Sequence, residues 1–265
     1  VTARNRPLAL ITGASAGIGA TFARALASRG YDLILVARRR ERLEELAREL
    51  EARHGACVET LPADLADDAG LRKVEERIAS PAPDLLVNNA GFGTHGRFWE
   101  APLETQDRMH RVHVIATMRL THAALAVMVP RGTGAIINVS SVAGFAASPG
   151  NVSYCATKHW INAFTEGLYL ELKSAGSQVK VQALCPGFTY SEFHDVMGRD
   201  RSLIPQPWWL QPEYVVNASL EGLERGELFV VPSFRYRMVV RAIRILPDGL
   251  RRRLTQVYAR RRKLE

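Results

Sequence analysis

The sequence predicts an α/β fold, one doubly wound, parallel sheet of about seven strands with helices on both faces. Three observations predict it. Seven short apolar runs recur along the 265 residues. Several are β-branched and apolar throughout, as strands covered on both faces must be. Stretches of helical period alternate with them, and a βαβα rhythm builds parallel sheets. A glycine-rich turn joins the first run to the first helix.

The elements follow in order. LALIT (8–12) reads as the first strand, followed by a helix over about 17–29. DLILVA (32–37), CVETL (57–61) and DLLVN (84–88) read as strands, with helices near 41–53 and 67–79 between and after the first two. A long helix is expected over 103–128, then the strand GAIINVS (134–140) and a second long helix over 151–175. VKVQAL (179–184), a helix near 213–225 and the short strand LFVV (228–231) complete the sheet. No internal repeat or low-complexity linker divides the chain, so one catalytic domain over 1–234 is expected, followed by a basic helical tail over 235–265.

Composition narrows the function. The hydrophobic share of 47% suits a sizeable single core. Three scattered cysteines, Cys57, Cys155 and Cys185, make no disulfide framework, and no Cys/His spacing fits zinc, so no metal is expected and a cytoplasmic setting is. No secretory h-region is visible, and no run reaches the ~18 apolar residues of a membrane span. The net charge of +8 is uneven: residues 235–265 carry ten Arg and one Lys against Asp248 and Glu265, and the rest of the chain is close to neutral. That distribution argues against a nucleic-acid partner. The tail splits at Pro247 into two amphipathic pieces. They can touch an anionic membrane peripherally, pack on the body or join subunits.

The chemistry starts at TGASAGIGA (12–20), where Gly13, Gly17 and Gly19 follow a strand and open a helix. Such a turn lets the backbone approach a pyrophosphate while the helix N-terminus faces it. Ile18 lies within the same turn. An NAD binder keeps an acid at the end of the second strand. Here that strand ends Ala37-Arg38-Arg39-Arg40, without a carboxylate. Arg38, helped by Arg39 and Ser15, is expected to clamp a 2′-phosphate, which predicts NADP(H). Tyr154 and Lys158 stand four apart on one helix face, where an ammonium would favour the ionised phenol. The same spacing also suits an aromatic packed under a Lys stem.

With these residues on the page, the chain resembles the short-chain dehydrogenase/reductase family in its 250-residue form, across roughly 7–232. The resemblance rests on the glycine turn, DLAD (64–67), NNAG (88–91), Ser141 in NVSSVAG, YCATK (154–158) and CPGFTYS (185–191). It implies that Tyr154 is the general acid in carbonyl reduction. Lys158 would bind the nicotinamide ribose and depress the Tyr154 pKa, and Ser141 would hydrogen-bond the substrate oxygen. Asp64 and Leu65 would hold the adenine. Asn88, with Ala90 and Gly91, would track the ribose, with Asn89 beside them among the coenzyme contacts. Pro186, Gly187 and Thr189 would cover the nicotinamide. A substrate lid is expected over 190–212, with Phe92, Val142, Phe193 and Trp208 as walls for a hydrophobic carbonyl compound. The family also implies a homodimer or homotetramer through the long helices.

One position departs from the family pattern. Where an Asn usually holds a proton-relay water, this chain has His113. A ring nitrogen could hold the same water and titrate. Two rival readings stay open: the same chemistry run as alcohol or hydroxysteroid oxidation, and a non-catalytic NADP(H)-sensing scaffold.

Overall fold

The computed structural model describes residues 6–94, 96–192 and 204–261. Seven parallel strands form one sheet in the order β3-β2-β1-β4-β5-β6-β7. They are β1 (Leu8–Thr12), β2 (Asp32–Ala37), β3 (Val58–Pro62), β4 (Leu85–Asn88), β5 (Ala135–Val139), β6 (Lys180–Leu184) and β7 (Phe229–Val230). Helices α1 (Gly17–Ser28), α2 (Arg40–His54), α3 (Asp68–Ala79), α4 (Leu103–His110), α5 (Thr117–Arg131), α6 (Val152–Ser174) and α7 (Pro212–Glu224) connect them. Two more, α8 (Phe234–Ile245) and α9 (Asp248–Arg261), follow β7.

The period of two along each strand explains why both faces are apolar. Ala9, Ile11, Leu33, Leu35 and Val87 pack with Phe22, Leu26, Leu43 and Val216 of α1, α2 and α7. Leu8, Leu10, Ile34, Val36 and Leu86 pack on the other face with Val74, Leu120 and Leu172 of α3, α5 and α6. Each fully buried Leu, Ile or Phe contributes about 1.5–3 kcal/mol by leaving water. The chain turns outward in both directions from β1, which pairs with β2 and with β4. A cleft opens at such a switch, beyond the carboxyl ends of the strands.

The long helix expected over 103–128 is continuous in space but not uniform. Residues Arg111–Ala116 form a π-helical segment between α4 and α5. The wider turn brings Val112, His113 and Ala116 inward. The stretch Leu103–Arg131 is also long and apolar enough, by length and composition, to cross a membrane, contrary to expectation. Its face bearing Met109, Leu120, Ala124 and Met128 is buried in the body.

The basic tail is tied to the body at its start. Tyr236 and Val240 of α8 are buried. The Tyr236 ring lies on Gly187, where no Cβ would fit. Its hydroxyl accepts from the Phe188 N–H at 3.0 Å and donates to the Trp208 carbonyl at 2.7 Å. Arg244 stacks over Phe145 and Phe229, at 4.8 and 5.3 Å from the ring centroids.

Candidate active site

The cleft at the strand ends holds a cavity of about 510 Å³. Its floor is the glycine turn. Gly13 has φ +67°, and a Cβ there would sit 2.8 Å from Asn89 Nδ2. A Cβ on Gly19 would drive into the Gly13 carbonyl oxygen. No side chain caps the N-terminus of α1, so its first-turn N–H groups remain available to an anion in the cavity. Thr12 braces this turn: its hydroxyl accepts from the N–H groups of Asn89 at 2.9 Å and Ala90 at 3.0 Å. Asn89 Nδ2 in turn donates to the Thr12 carbonyl at 2.8 Å.

The two asparagines of NNAG separate here. Asn89 lines the cavity with Ala90 and Gly91. Asn88 turns into the core, donating to Thr121 Oγ1 at 3.0 Å and Asn138 Oδ1 at 2.9 Å. The expectation that Asn88 tracks the ribose is corrected: it belongs to a buried polar network linking β4, β5 and α5. Successive strand residues face opposite ways, and only the sheet decides which Asn faces the cleft.

At the far wall, α6 presents Tyr154 and Lys158 to the cavity. Ser141 caps the short turn Val142–Phe145, accepting from the Ala143 N–H at 3.1 Å. Asn162 ties that turn to α6 through the Gly144 carbonyl at 2.8 Å. Ser140 donates to the Lys158 carbonyl at 3.1 Å, leaving Ser141 as the serine bonded to the Tyr154 phenol. Lys158 Nζ donates to the Val139 carbonyl at 2.8 Å and lies 5.7 Å from the Tyr154 ring centroid.

The electrostatics differ from the expectation drawn from spacing. Burial pushes the Tyr154 pKa up to about 12, against the opposing pull of the Ser141 hydrogen bond. Burial brings Lys158 down to about 8. The net shift of the phenol is upward, opposite to the one its spacing from Lys158 suggests, and burial is its largest cause. The phenol stays protonated across the physiological range, the state a proton donor needs.

His113 is also corrected. Its Nε2 accepts from the Phe92 N–H at 3.1 Å, and its Nδ1 lies 2.9 Å from Thr157 Oγ1. Thr157 donates its own hydrogen to the Tyr154 carbonyl at 2.9 Å, so Nδ1 carries the proton. Burial first, then the Lys158 charge, holds the ring pKa well below its ordinary value. With both nitrogens engaged and the ring neutral, His113 does not hold a relay water. It braces the Phe92 loop against α6, and a Cβ on Gly91 would meet its Nε2 at 2.8 Å. His113→Asn can satisfy one of these two partners but not both. We expect about 1–2 kcal/mol of lost stability by denaturant titration, with kcat within about threefold. A hundredfold fall in kcat with the fold intact would give the ring a chemical role.

The remaining expected residues fall as follows. Ser15, Ile18, Leu65, Val142, Pro186, Gly187 and Thr189 line the cavity. Asp64 does too, but its carboxylate also pairs with Arg108, which the sequence did not single out. Arg38 and Arg39 both line the cavity, but of the two expected for the phosphate clamp it is Arg39, not the preferred Arg38, that is hydrogen-bonded to Ser15, through Nη2 to Oγ at 3.1 Å. Trp208 does not face the cavity. It packs edge-on against Tyr236, centroids 5.4 Å apart. Phe193 lies outside the described residues. Thr12, Arg108, Thr157 and Glu192 were missed, because each acts through a contact with residues distant in sequence. Among the described residues, no group of three His, Cys, Asp or Glu could hold a metal.

Fold and site together define a nicotinamide-dependent oxidoreductase built on a Rossmann-type sheet. Residues 7–202 match the short chain dehydrogenase family, and the chain belongs to it. It is 39% identical to a short-chain dehydrogenase from Sphingobium yanoikuyae in complex with NADPH, covering 94% of this chain and 95% of that one, with a TM-score of 0.83. The bulky-bulky ketone specific alcohol dehydrogenase from Comamonas testosteroni is 33% identical over 92% of this chain and 96% of that one, with a TM-score of 0.79. The 3-oxoacyl-[acyl-carrier-protein] reductase FabG of Aquifex aeolicus is 31% identical over 80% of this chain and 88% of that protein.

The residues present fit a nicotinamide dinucleotide. The glycine turn lines the cavity with backbone, α1 supplies uncapped N–H donors for a pyrophosphate, and Tyr154 and Lys158 line the same cavity. When bound, the coenzyme supplies the hydride chemistry.

Proposed function

We propose that this protein reduces a hydrophobic ketone or aldehyde to the alcohol with NADPH. The observation that carries this reading is the Tyr154 phenol, hydrogen-bonded to Ser141 and held protonated in the cavity with its pKa up to about 12. Carbonyl reduction builds negative charge on the substrate oxygen. Ser141 and Tyr154 are two donors for that charge, and Tyr154 releases its proton to the oxygen. Lys158 binds the ribose and supports the phenol from its own helix. Asp64 and Leu65 hold the adenine, with Arg108 fixing the carboxylate. Pro186, Gly187 and Thr189 form the roof over the nicotinamide. A raised phenol favours reduction over the reverse oxidation, where a base would be needed.

The NADP(H) preference is supported by Arg38, Arg39 and Ser15 on the cavity rim and by the NADPH bound in the Sphingobium relative. Apolar walls from Phe92, Val142 and Phe188, with the bulky ketones of the Comamonas relative, support a hydrophobic substrate. Exposed Leu103, Met118 and Leu170 on the long helices support a homo-oligomer. Free cysteines suit a reducing, cytoplasmic setting.

The test is single-turnover hydride transfer from NADPH to a panel of bulky ketones and 3-oxo esters. Absence of NADPH oxidation with every carbonyl, despite tight coenzyme binding, would favour the sensing scaffold. Arg39→Ala should weaken NADPH binding about tenfold in fluorescence titration and leave NADH within twofold. Equal losses for both coenzymes would place the phosphate elsewhere.

A further inference from the structure

The second strand lacks the acid that would meet a ribose hydroxyl, but the fold brings a carboxylate to that place from 150 residues away. Glu192 Oε2 accepts from Arg39 Nη1 at 2.9 Å, and its other oxygen pairs with Arg42. Arg39 simultaneously reaches Ser15 Oγ through Nε at 3.3 Å and Nη2 at 3.1 Å. Ser15, Arg39 and Glu192 all line the cavity. Both guanidiniums hold the Glu192 carboxyl below its usual range.

The approach of Glu192 is built rather than incidental. Ser191 packs on the glycine turn so closely that a Cβ on Gly17 would lie 2.9 Å from its Cβ. The preceding backbone is pinned by Tyr190 N–H to the Leu210 carbonyl at 3.0 Å and Leu210 N–H to the Phe188 carbonyl at 2.8 Å. The loop after β6 therefore delivers its acid onto the helix start after β2.

We propose that Glu192 is a coenzyme-specificity residue, an internal carboxylate that occupies Arg39 and Arg42 and must yield them to the 2′-phosphate of NADP(H). A phosphate carries nearly two charges and three acceptor oxygens, so it takes the guanidiniums from a single carboxylate. A neutral 2′-hydroxyl cannot, and NAD(H) binds with the Glu192 pairs intact. Glu192 thus tempers an NADP(H) preference that the Arg run alone would make steeper. The inference rests on the reading that a 2′-phosphate binds at Arg39.

The experiment titrates 2′,5′-ADP and 5′-AMP, by calorimetry, into the wild type and into Glu192→Gln and Glu192→Ala. These fragments report the adenosine end without turnover. The side chain is partly exposed, 43%, so both variants should fold, and their thermal midpoints check this. We expect 2′,5′-ADP to bind about three- to tenfold tighter in both variants and 5′-AMP to change less than twofold. Unchanged 2′,5′-ADP affinity, or an equal gain for both fragments, overturns the role of Glu192. If the wild type itself does not prefer 2′,5′-ADP, the NADP(H) reading fails first, and that result is distinct from the other two.

Discussion

Tyr154→Phe removes the proton donor and should lower kcat for carbonyl reduction by about 10²–10⁴-fold. Coenzyme affinity should stay within about threefold, because the ring remains and only a hydroxyl is lost. The loss belongs to the transition state, where the substrate oxygen gains charge, so it appears in kcat as well as in kcat/KM. Wild-type reduction should show no alkaline fall in rate from the phenol below its pKa of about 12. The physical reason is the sign of the shift: burial disfavours the phenolate, so Tyr154 keeps its proton at every pH an assay would use. Retention of more than a tenth of wild-type kcat in Tyr154→Phe, measured in single turnover, would move the proton transfer to another group. Ser141→Ala alone should be milder, since the phenol remains to stabilise the oxygen.

Gly19→Ala should be the most damaging small substitution in the coenzyme cradle. The added methyl would strike the Gly13 carbonyl oxygen and crowd Asn89 Nδ2. Neither can step aside easily. Gly13 is backbone in the left-handed region, φ +67°, and Asn89 is held by the Thr12 carbonyl. Overpacking of this kind costs about 1–3 kcal/mol. We expect a thermal midpoint lower by several degrees and NADPH affinity reduced at least tenfold, because the α1 N–H groups move away from the pyrophosphate. A chemical denaturation curve and a fluorescence titration separate the two effects. Wild-type affinity in a folded Gly19→Ala would mean that the dinucleotide does not rest on this turn.

Much of the sheet was legible because its strands are apolar on both faces and its helices repeat at their own period. The observed strands fall within one or two residues of the expected runs at nearly every position. The π-helical segment Arg111–Ala116 was not legible, since the β-branched residues of RVHVIA lower helix propensity without specifying a wider turn. Its extra residue per turn is stabilised by what it meets: His113 bonded to Thr157 and the Phe92 N–H. Trp208 reads as a substrate wall by position and apolarity, yet its carbonyl and ring go to Tyr236, 28 residues further along the chain.

The sequence alone determined which groups could do chemistry: a glycine-rich turn between a strand and a helix, a Tyr and Lys one helical turn apart, and a strand end rich in guanidinium. These are local properties, fixed by the covalent chain and the helix period. Tertiary structure decided what the groups are. Desolvation depends on every neighbour at once, so only the fold could show that burial raises the Tyr154 phenol. Strand parity sent Asn88 inward and Asn89 to the cleft. Contacts spanning 150 residues put Glu192 on Arg39 and Arg42, a pairing that no reading of spacing along the chain can reach.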